Sequence, residues 1–237
     1  MEQPKRFPWS DFPDVLIHAS EQHVKRHALY QQAKSGAVIA AVNLVLDSLS
    51  YELVGRIHEE LGPYIPILLP VFAEEAIGMN VIPQALAEAL ADLLNWDVEE
   101  RVFQTNVVGH TGAGGFVRLA NQAIFEGSVE SGLNYLLIDD FIGQGGTLAN
   151  LRGHILSQGS RVLGASVLTG KAHSAKLAPT DEQLTELRRK HGTIESWWNQ
   201  RFGFGFDCLT ASEARYLIQT PASERIVARL EEAGRGR

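Results

Sequence analysis

Leu136-Leu-Ile-Asp139-Asp140-Phe-Ile-Gly143-Gln144-Gly145-Gly146-Thr147-Leu148 is the stretch that decides how this chain folds. The apolar run from Tyr135 to Ile138 predicts a strand that delivers two adjacent carboxylates at its C-terminal end. A short glycine-rich turn then opens a helix expected over residues 147–158 and stopped by Gly159. In open α/β sheets, ligands bind at that edge. Successive backbone N–H groups beside a helix N-terminus suit a phosphate dianion, and the Thr147 hydroxyl can add one more bond. Carboxylates just before such a loop would repel phosphate unless they face ribose hydroxyls or a divalent metal with its waters. Paired aspartates also serve as turn formers or caps, and a Gly-Gly after a strand says little alone. The full order of features is what makes the stretch specific. No lysine follows the second glycine pair, so it is not a Walker A loop.

Working outward, residues 65–71 read as a buried strand and residues 72–79 as a loop. Asn80 is placed to cap a helix running to Leu94, with Pro83 in its first turn, where a missing N–H costs little. Residues 101–107 predict a second strand, residues 108–132 a long glycine-containing connection, and residues 161–168 a strand after the helix. Strand–helix alternation predicts a parallel sheet flanked by helices. Upstream, Val38, Val42, Val45, Leu49, Leu53, Ile57 and Leu61 recur at helical spacing and predict one apolar face of a helix or of two consecutive helices. Downstream, residues 180–191, 212–217 and 223–232 read as helices around an aromatic, glycine-rich run at 197–207. The expected division is a helical N-terminal extension at 1–62, an α/β core at 63–170 and a helical and aromatic C-terminal extension at 171–237.

The chain has 237 residues, 45% hydrophobic and 21% charged, enough for one well-buried core. Its net charge of −7 argues against a polyanion as main partner, so no nucleic acid is expected, while a local basic pocket for a small phosphate ester stays compatible. One cysteine, Cys208, excludes an intrachain disulfide and a Cys-rich metal site. The first residues lack an apolar run, and no apolar stretch approaches the roughly 20 residues that span a bilayer, so a soluble, cytoplasmic protein with no membrane partner is expected.

The stretch 136–148 resembles the 5-phosphoribosyl-1-pyrophosphate (PRPP) signature of the type I phosphoribosyltransferases: apolar strand, two acidic residues, two apolar residues, then a phosphate loop ending Gly-Gly-Thr. With the surrounding strands the resemblance covers about 110 residues. It implies a phosphoribosyltransferase-like parallel sheet, with Asp139 and Asp140 on the ribose hydroxyls. It also implies that Gly143, Gln144, Gly145, Gly146 and Thr147 wrap the 5′-phosphate. Mg²⁺ would reach Asp139 and Asp140 indirectly, as Mg-PRPP. The pattern departs at Gly143-Gln144, where family members often carry Thr-Thr or Ala-Thr and some carry an aspartate general base.

By the same resemblance, the pyrophosphate loop falls on Ala73, Glu74, Glu75, Gly78 and Asn80. Its two carboxylates suit Mg²⁺ waters or an amine-bearing acceptor, and equally a solvated acidic turn. Residues 109–118 take the place of the family's mobile catalytic loop. There His110 can donate a proton to leaving pyrophosphate and Arg118 can neutralise it, or the segment is a plain connection with an exposed histidine. Lys171 is more simply a solvated lysine than a ligand contact. Trp197, Trp198, Phe202, Phe204 and Phe206 can stack a base, but packing is the favoured reading. Cys208 reads as a small buried residue. The histidines, such as His154 and His173, show no metal-ligand spacing.

The expected function is transfer of the ribose 5-phosphate group of PRPP to a small-molecule acceptor, a nucleobase-like nitrogen, with release of pyrophosphate by a homodimer. The rival is a PRPP- or nucleotide-sensing protein that keeps the fold without the reaction.

Overall fold

The computed structural model describes residues 3–75, 78–107 and 114–235. In chain order, β1 (Leu16–Ser20) leads into α1 (Glu21–Arg26), α2 (Tyr30–Lys34), α3 (Val38–Ser48) and α4 (Tyr51–Leu61). Next come β2 (Ile67–Pro70), a small hairpin of β3 (Glu74–Glu75) and β4 (Gly78–Met79), and α5 (Ile82–Leu94). A ribbon of β5 (Phe103–Gln104) and β6 (Phe125–Glu126) brackets α6 (Gly115–Ala120). Then follow β7 (Asn134–Ile142), α7 (Gly146–Leu156) and β8 (Arg161–Gly170). The chain finishes with α8 (Asp181–His191), α9 (Glu195–Phe202), α10 (Ala211–Ile218) and α11 (Ser223–Arg235).

Four strands form one parallel sheet in the order β1-β8-β7-β2, flanked by helices as expected. The central strand β7 reads as a continuous apolar run because both of its faces are covered. Leu136 and Ile138 join Leu44, Ile57, Leu86 and Leu90 in the core beneath α3–α5. Tyr135 and Leu137 join Leu148, Leu151 and Ile155 of α7 on the other face. A third core, around Trp198 and Phe206, belongs to the C-terminal helices and takes in Leu119 of α6. No single helix among the described residues is long and apolar enough to cross a membrane.

Several expectations are corrected. The segment 1–62 is not wholly helical: Leu16–Ser20 forms an edge strand on β8, with Leu16 opposite Ser166. Five residues after two prolines and an aspartate are too short and irregular to announce a strand without their partner. Residues 101–107 do not supply a strand of the parallel sheet. Phe103–Gln104 pairs antiparallel with Phe125–Glu126, and the main sheet is touched instead by an isolated bridge from Val98 to Leu68. The run across 38–61 forms two consecutive helices, as its spacing allowed, divided at Leu49-Ser50, where the Ser50 side chain caps α4. The break shifts the buried face of α3 to Ala40, Ala41, Leu44 and Val45 and leaves Val38 and Val42 exposed. Nor is α7 amphipathic. Residues 5–12 cross its outer side, where Arg152 donates to the carbonyls of Phe7 and Pro8 and lies over the Trp9 ring.

His18 on β1 locks the edge strand to its neighbours. Ser50 N donates to Nδ1 at 3.2 Å, which leaves Nε2–H to donate to Ser166 Oγ at 3.0 Å. Burial pushes its pKa down from 6.5 to about 4. The unfolded chain therefore takes up a proton that the folded chain refuses, so stability is full above pH 6.5 and falls as pH drops toward 4. The total is about 3 kcal/mol. Urea titrations between pH 4 and 7 should show a shallower acid slope for His18→Gln than for the parent; identical slopes would remove His18 from this account.

Candidate functional site

The glycine loop and the acidic pair meet at the C-terminal edge of the sheet, in one cleft of about 430 Å³. Asp139 through Leu148 all line it, with Val71 and Ala73 after β2 and Asn80 before α5. The turn into α7 requires glycine at 145. Its φ is +80°, and a Cβ there would strike the Leu177 side chain. The amides of the first helical turn have no intrahelical acceptor and remain available to an anion.

What holds the loop open lies behind it. Thr210 Oγ1 donates to the Gln144 carbonyl at 2.5 Å, and Arg6 Nη2 reaches the Gly146 carbonyl at 3.5 Å. Both carbonyls are thereby drawn to the rear of the loop. Arg6 is itself fixed by a bidentate pair with Glu213, at 2.6 and 3.0 Å, and by Asn150 Oδ1 at 2.6 Å. Glu213 also accepts from Thr210 N at 2.8 Å, closing the capping box of α10. The Arg6 and Glu213 side chains are 1% and 3% exposed, so this is a fully desolvated ion pair with its remaining polar atoms satisfied.

The two aspartates sit inside β7 rather than beyond its end. Successive residues of a strand point to opposite faces, so Asp139 continues the Leu137 side and Asp140 the Ile138 side. Lys34 of α2 reaches Asp140 Oδ2 at 3.0 Å, while Asp139 Oδ1 accepts from Asp140 N at 2.8 Å. Burial, reinforced by the neighbouring Asp140 charge, raises the Asp139 pKa well above the carboxylate range. Asp139 therefore holds its proton more tightly than an ordinary carboxyl, while Asp140 faces a lysine.

Of the expected residues, the cleft brings together Asp139, Asp140, Gly143, Gln144, Gly145, Gly146, Thr147, Ala73, Asn80 and Arg118. Asn80 accepts from Ile82 N at 3.3 Å, but it lies one residue ahead of the capping position, which Val81 takes. Glu74 and Glu75 pair as backbone with Met79 and Gly78. His110 and residues 109–113 of the expected lid lie outside the described residues. Lys171 faces a neighbouring pocket instead. The aromatic run packs: Trp198 is fully buried, with Phe202 and Phe206 at 4.5 and 5.6 Å. Cys208 is buried, and desolvation pushes its thiol up to about 11.

The sequence reading missed Arg6, Lys25, Tyr30, Gln31, Lys34 and Glu213, all of which line the cleft. Polar residues on short helices carry no signal of their own. The nearest clue was Thr210-x-x-Glu213, a capping box in the sequence whose glutamate does more than cap.

No family model matches the chain. Protein TraN of Escherichia coli is 38% identical over 230 residues, which is 97% of this chain and 51% of that protein. An uncharacterized protein of Haemophilus influenzae is 37% identical over 158 residues, 66% of this chain and 35% of its own length. The chain thus spans about half or less of the curated relatives it matches. Among solved structures, an adenine phosphoribosyltransferase is similar with a TM-score of 0.38 at 13% identity, over 62% of this chain and 76% of that one. The adenine phosphoribosyltransferase of Leishmania donovani has a TM-score of 0.35 at 15% identity, over 87% and 90%.

Two outcomes follow from the site. Arg6→Met should destabilise the protein by about 3–5 kcal/mol, because it strands a buried carboxylate, whereas Arg6→Met with Glu213→Leu should recover most of that loss. Equal instability of the single and double variants in urea would mean that packing, not charge, matters at Arg6. Asp139→Asn should act in the opposite direction. The native state keeps a proton that the unfolded state releases above pH 3.8, so the parent loses stability as pH rises through the elevated value. The ligand-free asparagine variant should therefore melt higher than the parent at pH 8, by a few degrees. A lower melting temperature would contradict the raised Asp139 pKa.

Proposed function

We propose that the cleft binds PRPP and that the protein transfers its phosphoribosyl group to an acceptor nitrogen. The observation that carries this reading is the meeting, in one cleft, of the Asp139–Asp140 pair with the Gly143–Thr147 loop at the start of an 11-residue helix. In the reading, loop amides and the Thr147 hydroxyl hold the 5′-phosphate. Asp139 and Asp140 face the two ribose hydroxyls. Lys25, Lys34 and Arg118 supply positive charge for the diphosphate, beside the hairpin that follows Ala73.

The C1′–N bond forms as the C1′–O bond to diphosphate breaks. The electron pair leaves with the diphosphate, and the proton on the attacking nitrogen passes to solvent or a base. Positioning and charge stabilisation would supply the rate, with His110 and Arg118 addressing the leaving diphosphate. Mg²⁺ would arrive with PRPP and offset diphosphate charge. Among the described residues no three His, Cys, Asp or Glu side chains converge to cage an ion, so the acidic pair fits only a contact through the ion's waters.

One observation favours the sensing alternative. Gly143 offers no carboxylate base, and Glu213, also in the cleft lining, is already committed to Arg6. The test is paired. Calorimetry with PRPP and Mg²⁺ should show binding, and a hundredfold excess over Kd should add about 2.7 kcal/mol of stability. Asp140→Asn should weaken that binding by about tenfold or more. Pyrophosphate release with a panel of nitrogen acceptors then separates transferase from sensor. No melting shift at millimolar PRPP would sink both readings.

A further inference from the structure

On the other side of Gly143 and Gln144 lies a second pocket, of about 280 Å³. Arg118, Lys171, His173 and Arg215 line it, and none of the described residues in its wall is Asp or Glu. Three permanent cations thus converge in a chain whose net charge is −7. They come from α6, from the end of β8 and from α10, segments that only the tertiary fold brings together. Mutual repulsion makes such a gathering costly without an anion to face.

The surroundings of these groups orient them. Arg215 Nη2 donates to Ser212 Oγ at 2.8 Å, and Ser212 Oγ donates onward to Ser174 Oγ at 3.2 Å. Hydroxyls therefore aim that guanidinium without neutralising it. Tyr216, held edge-on to Phe116 with ring centres 5.0 Å apart, supplies a flat apolar wall. Gly143 explains how the two cavities communicate. A Cβ there would lie 2.9 Å from Arg118 Nη1, so the bare position seats a guanidinium where a side chain of the phosphate loop would otherwise stand. Arg118 borders both cavities.

We propose that this second pocket binds a small carboxylate- or phosphate-bearing molecule and forms the acceptor side of the phosphoribosyl cleft. The second half of that statement rests on the PRPP reading; the binding of an anion does not. A neutral ring would give Lys171 and Arg215 no counter-charge in this wall, whereas an anionic one meets them while its ring lies against Tyr216.

Calorimetry on the full chain tests this with benzoate, phenyl phosphate and benzamide, in the absence and presence of saturating ribose 5-phosphate. Benzoate or phenyl phosphate should bind, benzamide should not, and which anion binds tells a carboxylate site from a phosphate site. Lys171→Gln and Arg215→Gln should each weaken the anion by about tenfold or more while leaving ribose 5-phosphate affinity unchanged. Lys171 is exposed, so its variant tests the site even if Arg215→Gln folds poorly. Benzamide binding as well as benzoate, or anion affinity indifferent to Lys171→Gln, would overturn the proposal. So would displacement of the anion by ribose 5-phosphate, since the anion would then have occupied the phosphate loop. If ribose 5-phosphate fails to bind while the anion still responds to Lys171→Gln, the PRPP reading falls and the anion pocket stands.

Discussion

Arg6 and Glu213 lie 207 positions apart and meet in a fully buried bidentate pair, and most of what shapes the cleft passes through it. Taking both charges from water is costly, and their attraction offsets that cost only because the geometry is good and the remaining donors and acceptors are filled. Here Asn150, Thr210 and the Gly146 carbonyl fill them. The pair thereby joins the N-terminal segment, the phosphate-loop helix and the C-terminal helices. It is poor value as a source of stability and effective as a specifier of position. The loop that it backs has its Gln144 and Gly146 carbonyls turned toward Thr210 and Arg6.

The acidic pair expresses the opposite relation between stability and function. Two adjacent carboxylates at a buried sheet edge destabilise each other, and the structure answers by raising the Asp139 pKa and setting Lys34 against Asp140. A ligand with hydroxyls at that spot would take over the contacts that the proton and the lysine now make.

Charge is distributed unevenly around the phosphate loop. The chain is acidic overall, yet Lys25 and Lys34 approach from the α1–α2 side, and Arg118, Lys171 and Arg215 gather on the other. The aromatic residues that a base-binding reading would call on are instead consumed by the third core, around Trp198. Polar and cationic side chains remain in the walls of the cleft and of the pocket beside it, with Tyr216 in the wall of the latter.

The sequence by itself determined the central strand, the acidic pair and the turn into α7. Each rests on interactions between near neighbours: apolar residues buried on both faces of one strand, and a positive-φ glycine opening a helix. The same locality made the start of the helix at 180–191 legible, where the Thr180 side chain caps the first turn. Only the tertiary structure decided what surrounds them. Leu16–Ser20 becomes a strand because β8 offers an unpaired edge, α7 is buried all round because residues 5–12 cross it, and Phe103–Gln104 turns away into a ribbon with Phe125. Lys34, Arg6 and Arg215 were invisible for the same reason, and Arg118 and Lys171 gave no sign that they share a pocket. A lysine or arginine on a short helix has no periodicity or neighbour that betrays its destination, and its role depends on long-range packing that places a carboxylate, a carbonyl or another cation beside it.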